Sequence, residues 1–167
     1  MIRIFGAVLV FGTSCVFGIF LDKLIRERYK SLCYIHDALS YLAINISSFD
    51  MQLKKALINA DKSLVREDIF CEIAKNMEKL GIKKVWKKTF LDNKSRLCLK
   101  DSDINAILPL ANTLGTLDRD SEIRCINGVI QSLDVMAIEA KRDCETKGGL
   151  YKKCSVLLGL LIVIMLM

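Results

Sequence analysis

Proline occurs once, at Pro109, histidine once, at His36, and glycine nine times in 167 residues. So little punctuation excludes a turn-rich β fold and a disordered, low-complexity chain. A single histidine leaves any histidine-based triad resting wholly on His36. The chain has no G-x-G-x-x-G, no Walker phosphate loop and no H-E-x-x-H. Its seven cysteines, Cys15, Cys33, Cys71, Cys98, Cys125, Cys144 and Cys154, are odd in number and include no C-x-x-C pair. A secreted disulfide scaffold would carry an even, clustered set. Scattered thiols fit a reducing compartment, where cysteine packs as a small apolar residue. Charge is also missing, but locally: Ile4 to Leu21 and Cys154 to Met167 hold none.

What is present is sorted along the chain. Apolar residues make up 52% and charged residues 26%, yet all 19 acidic residues lie between Asp22 and Lys153. A hydrophilic middle bracketed by apolar ends excludes both a plain soluble enzyme and a multi-span transporter. The boundaries predicted are 1–21, 22–147 and 148–167.

The first segment covers roughly 27 Å as a helix, close to the hydrocarbon thickness of a bilayer. It is long for a signal-peptide core, and no Ala-x-Ala precedes Asp22. A lipoprotein site at Cys15 lacks the usual aliphatic residue three positions earlier. An uncleaved transmembrane helix is therefore expected. The C-terminal run is shorter, about 21 Å, but Gly148 to Lys153 extend it, with Lys152 and Lys153 reaching to the headgroups. The competing reading is a buried core helix; the lack of any polar face favours the membrane. Lys23, Arg26, Arg28 and Lys30 follow the first segment, and Lys147, Lys152 and Lys153 precede the second. The positive-inside bias then places the middle in the cytoplasm and both termini outside.

The middle reads as helices. Leu32, Ile35, Leu39, Leu42 and Ile46 step by threes and fours along one stripe, with no breaker between them and the first apolar segment. Asp50 is expected to cap a short helix through Leu53, Ala56 and Leu57 to Asn59. Ser63 is expected to cap another, with Phe70, Ile73, Met77 and Leu80 on one face, ending at Gly81. A basic helix from Lys83 to Leu91 turns Val85, Trp86 and Phe90 inward. Ser102 is expected to cap a helix over 103–114, kinked at Pro109. Asp118 caps the longest one, carrying Ile123, Ile126, Ile130, Leu133, Ala137, Ala140 and Cys144 toward Gly148-Gly149. The fold class predicted is all-α, an antiparallel bundle of about six helices flanked by the two membrane helices.

Candidate chemistry is thin. Cys33 and His36 lie three apart on one helix, the spacing of a thiol–imidazole pair. A nucleophilic pair needs a third orienting group and a metal site needs two more ligands. A small membrane-anchored thiol enzyme or metal sensor is the alternative these two residues leave; the main reading has no catalytic residue, no metal and no cofactor. The densest charge run is Lys83, Lys84, Lys87 and Lys88 around Trp86, a candidate docking site for lipid or an acidic partner; the competing reading is a solvated helix face. With 24 basic against 19 acidic residues in the middle, nucleic acid is not an expected partner, nor is a small-molecule substrate. Asp118-Arg119-Asp120 has the look of a phosphate motif, but acidic residues at a helix start satisfy the cap and the dipole.

Several stretches together resemble one family. They are Ile4-Phe5-Gly6-Ala7-Val8-Leu9-Val10, the basic Arg26-Glu27-Arg28, and Leu114-Gly115-Thr116-Leu117-Asp118-Arg119-Asp120-Ser121-Glu122. With them go Gly149-Leu150-Tyr151-Lys152-Lys153 and the closing apolar run from Leu157 to Met167. In order and at matching length they look like the stage III sporulation protein AB family. The resemblance implies a membrane component of the channel built between mother cell and forespore during endospore formation. It implies a helical domain similar to the cytoplasmic domains of type II secretion and type IV pilus platform proteins. The expected partners are membrane lipids, other channel subunits and a cytoplasmic secretion-type ATPase. Gly115, Asp118 and Arg119 are then the helix-cap residues of the family-like motif.

Overall fold

A computed structural model describes residues 2–49, 53–62, 69–115 and 118–166. Those residues are helical with no strand. Their order is α1 (Ile2–Phe49), α2 (Leu53–Lys62), α3 (Ile69–Leu80), α4 (Ile82–Asp92), α5 (Asp101–Ile107), a 3-10 segment (Leu108–Asn112), α6 (Arg119–Asp143), a π-helical turn (Cys144–Gly148) and α7 (Gly149–Leu166). The caps expected at Asp50 and Ser63 lie outside the described residues. Two compact units result: Met1–Tyr29 with Ile138–Met167, and Lys30–Ala137.

In the unit Lys30–Ala137, Leu32, Ile35, Leu39, Leu42 and Ile46 of α1 are buried as one stripe, as their spacing predicts. Against the core lie Ala56 and Leu57 of α2, Ile69, Phe70 and Ile73 of α3, and Ile126 and Leu133 of α6. Its centre is aromatic. Phe70 meets Trp86 edge-on with ring centroids 5.9 Å apart, and Trp86 meets Phe90 at 5.1 Å. Tyr34 joins Phe70 at 5.9 Å. Such pairs add about 0.5–1.5 kcal/mol each beyond the area they bury. The two polar atoms inside are satisfied. Trp86 Nε1–H donates to the Ile107 carbonyl at 3.2 Å, and the Tyr34 hydroxyl donates to the Asp61 carboxylate. Asp61 also accepts the Cys71 amide at 2.8 Å, so one buried carboxylate joins α1, α2 and α3.

Three points differ from the sequence reading. The helix α3 stops at Gly81, φ 77°, as expected, but Leu80, expected on its inward face, stands exposed. The cap of α5 is Lys100, not Ser102. Lys100 adopts an extended backbone, and its amide donates to the buried Asp103 carboxylate at 2.9 Å. Pro109 then converts the α-helix to the 3-10 segment. The longest helix is α1, since the first apolar segment and the Leu32–Ile46 stripe form one uninterrupted rod of 48 residues.

In the other unit, α1 and α7 run antiparallel. Partners descend along α7 as they ascend along α1. Gly159 faces Phe11 and Ser14, Gly18 faces Ser155 and Tyr151, and Gly148 faces Asp22. Beyond the apolar stretch, Cys144 Sγ contacts the Ile25 carbonyl at 3.5 Å and Arg28 pairs with Asp143 at 4.0 Å. The outward side chains Leu9, Val16, Phe17, Ile19, Leu157, Leu161 and Ile164 are exposed. Among the described residues, one helix, within Arg119–Met165, is long and apolar enough to cross a membrane.

Candidate functional site

Four features of the fold bear on function, beginning with the basic helix. On α4, Val85, Trp86, Thr89 and Phe90 are buried, while Lys83, Lys84, Lys87 and Lys88 are exposed. Trp86 therefore leaves the candidate docking surface. Its indole is fully buried in the aromatic cluster with its N–H spent on Ile107, so of the five candidate residues the four lysines alone face outward. An apolar arc of Val-Trp-x-x-x-Phe gives α4 its orientation, and the lysines take what remains of its circumference.

The family-like motif does structural work at the start of α6. Gly115 has φ 74°, a conformation that glycine adopts without cost, and its amide donates to the carboxylate of the buried Glu122. Asp118 is the cap: its Oδ2 accepts the Ser121 amide at 3.2 Å. The hydrogen bonds from Ser121 hold the Asp118 carboxyl below its ordinary pKa. Arg119 donates to the Ser47 carbonyl near the end of α1. Together these contacts close the turn after the 3-10 segment and tie the start of α6 to α1. Thr116 and Leu117 of the motif lie outside the described residues.

Cys33 and His36 do not assemble a site. Both imidazole nitrogens face carboxylates, Nδ1 to Asp37 and Nε2 to Asp134, each at 3.0 Å. His36 thus links α1 to α6, and Cys33 is not among its partners. Among the described residues, no group of three or more His, Cys, Asp or Glu side chains could hold a metal ion.

Two arrangements escaped sequence reasoning. One is the seam between α1 and α7, where Ser14 Oγ donates to the Ser155 carbonyl at 2.5 Å. A Cβ on Gly18 would lie 2.8 Å from the Ser155 Cβ and 3.3 Å from the Tyr151 carbonyl. The signal was there to find: Ser14-xxx-Gly18 and Ser155-xxx-Gly159 repeat one small-residue spacing in both apolar runs. The other is a charged collar next to that seam. Asp22 accepts from Arg26 at 3.0 Å, and Asp143 takes Arg28 on one side and Lys147 at 2.6 Å on the other. The hydrogen bonds and charges of these carboxylates raise the pKa of Arg26 and Lys147, while burial raises that of the Cys144 thiol.

Fold and surface together define an all-α protein with exposed apolar end helices and a bundle that holds its aromatic side inward and a lysine face outward. The sequence profile of the stage III sporulation protein AB family matches residues 3–167, and the chain belongs to that family and so to the proteins of sporulation. The stage III sporulation protein AB of Bacillus subtilis (strain 168) is 23% identical over 171 residues, covering all of both chains. A solved structure of a stage III sporulation protein AB matches with a TM-score of 0.63 at 21% identity, over 71% of this chain and 96% of that one, a likeness of fold.

Proposed function

We propose that this chain is a non-enzymatic membrane platform, an adaptor subunit of a secretion-like channel between mother cell and forespore. The observation that carries this reading is the α1–α7 hairpin: a small-residue seam on the inside, a row of exposed Leu, Ile, Val and Phe side chains on the outside. In water that outer row is a liability, whereas in a bilayer it is the required surface. Helices in lipid associate through small residues that let backbones approach, which is the chemistry of Ser14, Gly18, Ser155 and Gly159. The collar of Asp22, Arg26, Arg28, Asp143 and Lys147 supports a headgroup position just inside the cytoplasmic face.

On this reading 1–21 and 148–167 cross the cell membrane, and 22–147 faces the mother-cell cytoplasm. There the domain holds a fixed set of helix faces for other channel subunits and for a cytoplasmic secretion-type ATPase. Deleting the gene in its spore-forming host should block development after engulfment, and a copy encoding residues 22–147 alone should not restore it. Normal spore yield from the deletion strain, or full rescue by the unanchored domain, overturns the reading.

A further inference from the structure

Four lysines share one exposed face of the single helix α4. Lys54 pairs with Glu78 at 2.7 Å, Lys94 with Asp101 at 2.5 Å and Lys147 with Asp143 at 2.6 Å. By contrast, among the described residues no carboxylate engages Lys83, Lys84, Lys87 or Lys88. The four are spaced i, i+1, i+4 and i+5, so they fill the arc opposite Val85, Trp86 and Phe90. Leu91, 44% exposed, falls within that arc between Lys87 and Lys84. Leu80, 53% exposed, stands beside Lys79 one residue before α4 and its cap, Gly81. A helix face that sets four ammonium groups without a carboxylate partner around a protruding leucine, with a second exposed leucine just before the helix, has the chemistry of an interfacial helix. The ammonium groups reach phosphates, and the leucines enter the acyl boundary.

An acidic protein would meet the charge, but the leucines and the hairpin favour lipid. A domain tethered to a bilayer meets that surface at high effective concentration, so contacts too weak to recruit a free protein suffice. We propose that the α4 face, Lys83, Lys84, Lys87 and Lys88 with Leu91, docks on the anionic phospholipid surface of the membrane in which the chain is anchored. This rests on the anchoring reading above. The rigidity of the face comes from the buried indole behind it: Trp86 locks the rotation of α4, so the lysines cannot roll away from the surface. Docking is electrostatic at heart and weakens with salt.

The test uses the full chain in nanodiscs of phosphatidylcholine, with or without phosphatidylglycerol. Lysine acetylation by a water-soluble amine-reactive ester is followed residue by residue by mass spectrometry. The four α4 lysines should react roughly fivefold more slowly in the anionic discs than in the neutral ones. High salt should restore their rates, and Lys55 on α2 should react alike throughout. A Lys84→Glu/Lys87→Glu variant that keeps its helical circular dichroism should lose the protection at Lys83 and Lys88. Equal rates in the two discs overturn the proposal, as does protection that needs an added acidic protein rather than anionic lipid. Co-elution with neutral discs reads the anchoring separately. A chain that fails to co-elute sinks the anchor, while its lysine rates on anionic discs still decide the α4 face.

Discussion

Asp118 and Asp61 are both carboxylates that accept amides, and they make opposite demands on solvent. Asp118 is exposed, and the Ser121 hydrogen bonds lower its pKa, so its contribution to stability is present above the carboxylate's unfolded pKa of about 3.9. As pH falls through the lowered folded value, the cap protonates and that contribution disappears. Thermal melts of wild type and Asp118→Ala should therefore diverge near neutral pH, with the variant lower, and converge as the pH falls through the lowered pKa of the folded carboxyl. A gap independent of pH would mean that the carboxylate charge is not what caps α6. Asp61 is buried, and its removal takes away the carboxylate that accepts from the Tyr34 hydroxyl and the Cys71 amide. Asp61→Ala should cost about 2–4 kcal/mol in denaturant unfolding and Tyr34→Phe about 1–2, because unmet buried donors are more expensive than absent ones. Equal costs would argue that the Cys71 amide finds another partner.

At the scale of helices, the Ser14–Gly18 and Ser155–Gly159 seam makes the sharpest prediction. Gly18→Leu drives a side chain into Ser155 and the Tyr151 carbonyl, whereas a Cβ at Gly12 has open space, so that Gly12→Leu starts without a clash. In detergent the first should lower the stability of the hairpin by roughly 1–3 kcal/mol, and the second should leave the melting temperature in place. Equal effects would show that the seam is not where the glycine stands.

Much at this scale was legible beforehand. The stripe of Leu32, Ile35, Leu39, Leu42 and Ile46 and the inward Val85, Trp86 and Phe90 follow from period alone. What escaped was decided by contacts distant in sequence or by single backbone choices. Ser102 has the better intrinsic cap chemistry, but the Asp103 carboxylate reaches the Lys100 amide and moves the helix start back. Ile126, Leu133 and Ala140 recur every seven residues and would bring Lys147 next to the buried side. The π turn carries one extra residue and presents Gly148 there instead, against Asp22. No propensity announces that turn. The lysine face was legible as charge, and only the burial of Trp86 separates its exposed residues from the core.

For the whole molecule, the opening contrast between apolar ends and charged middle becomes a question of sidedness. Basic residues crowd the inner ends of both apolar segments: Lys23, Arg26, Arg28 and Lys30 after the first, Lys147, Lys152 and Lys153 before the second. On the far side of the two segments, Arg3 is the one basic side chain in the sequence. If both apolar segments span the membrane as proposed, retention of lysine and arginine on the cytoplasmic side would leave both termini outside. Trypsin added to inverted membrane vesicles should then degrade the region 22–147, cutting at exposed sites such as Lys55, Lys83 and Lys141, while the same enzyme added to intact protoplasts leaves it whole. Cleavage in protoplasts alone would reverse the topology and place the five thiols of 22–147 in an oxidising space, against their scattered pattern. Alkaline extraction of a chain lacking residues 1–21 separates the remaining alternative. If α7 is a second anchor, that chain stays in the membrane pellet; if α7 is a core helix, it is released. The exposed Leu157, Leu158, Leu161 and Ile164 favour retention, since a core helix would have buried them.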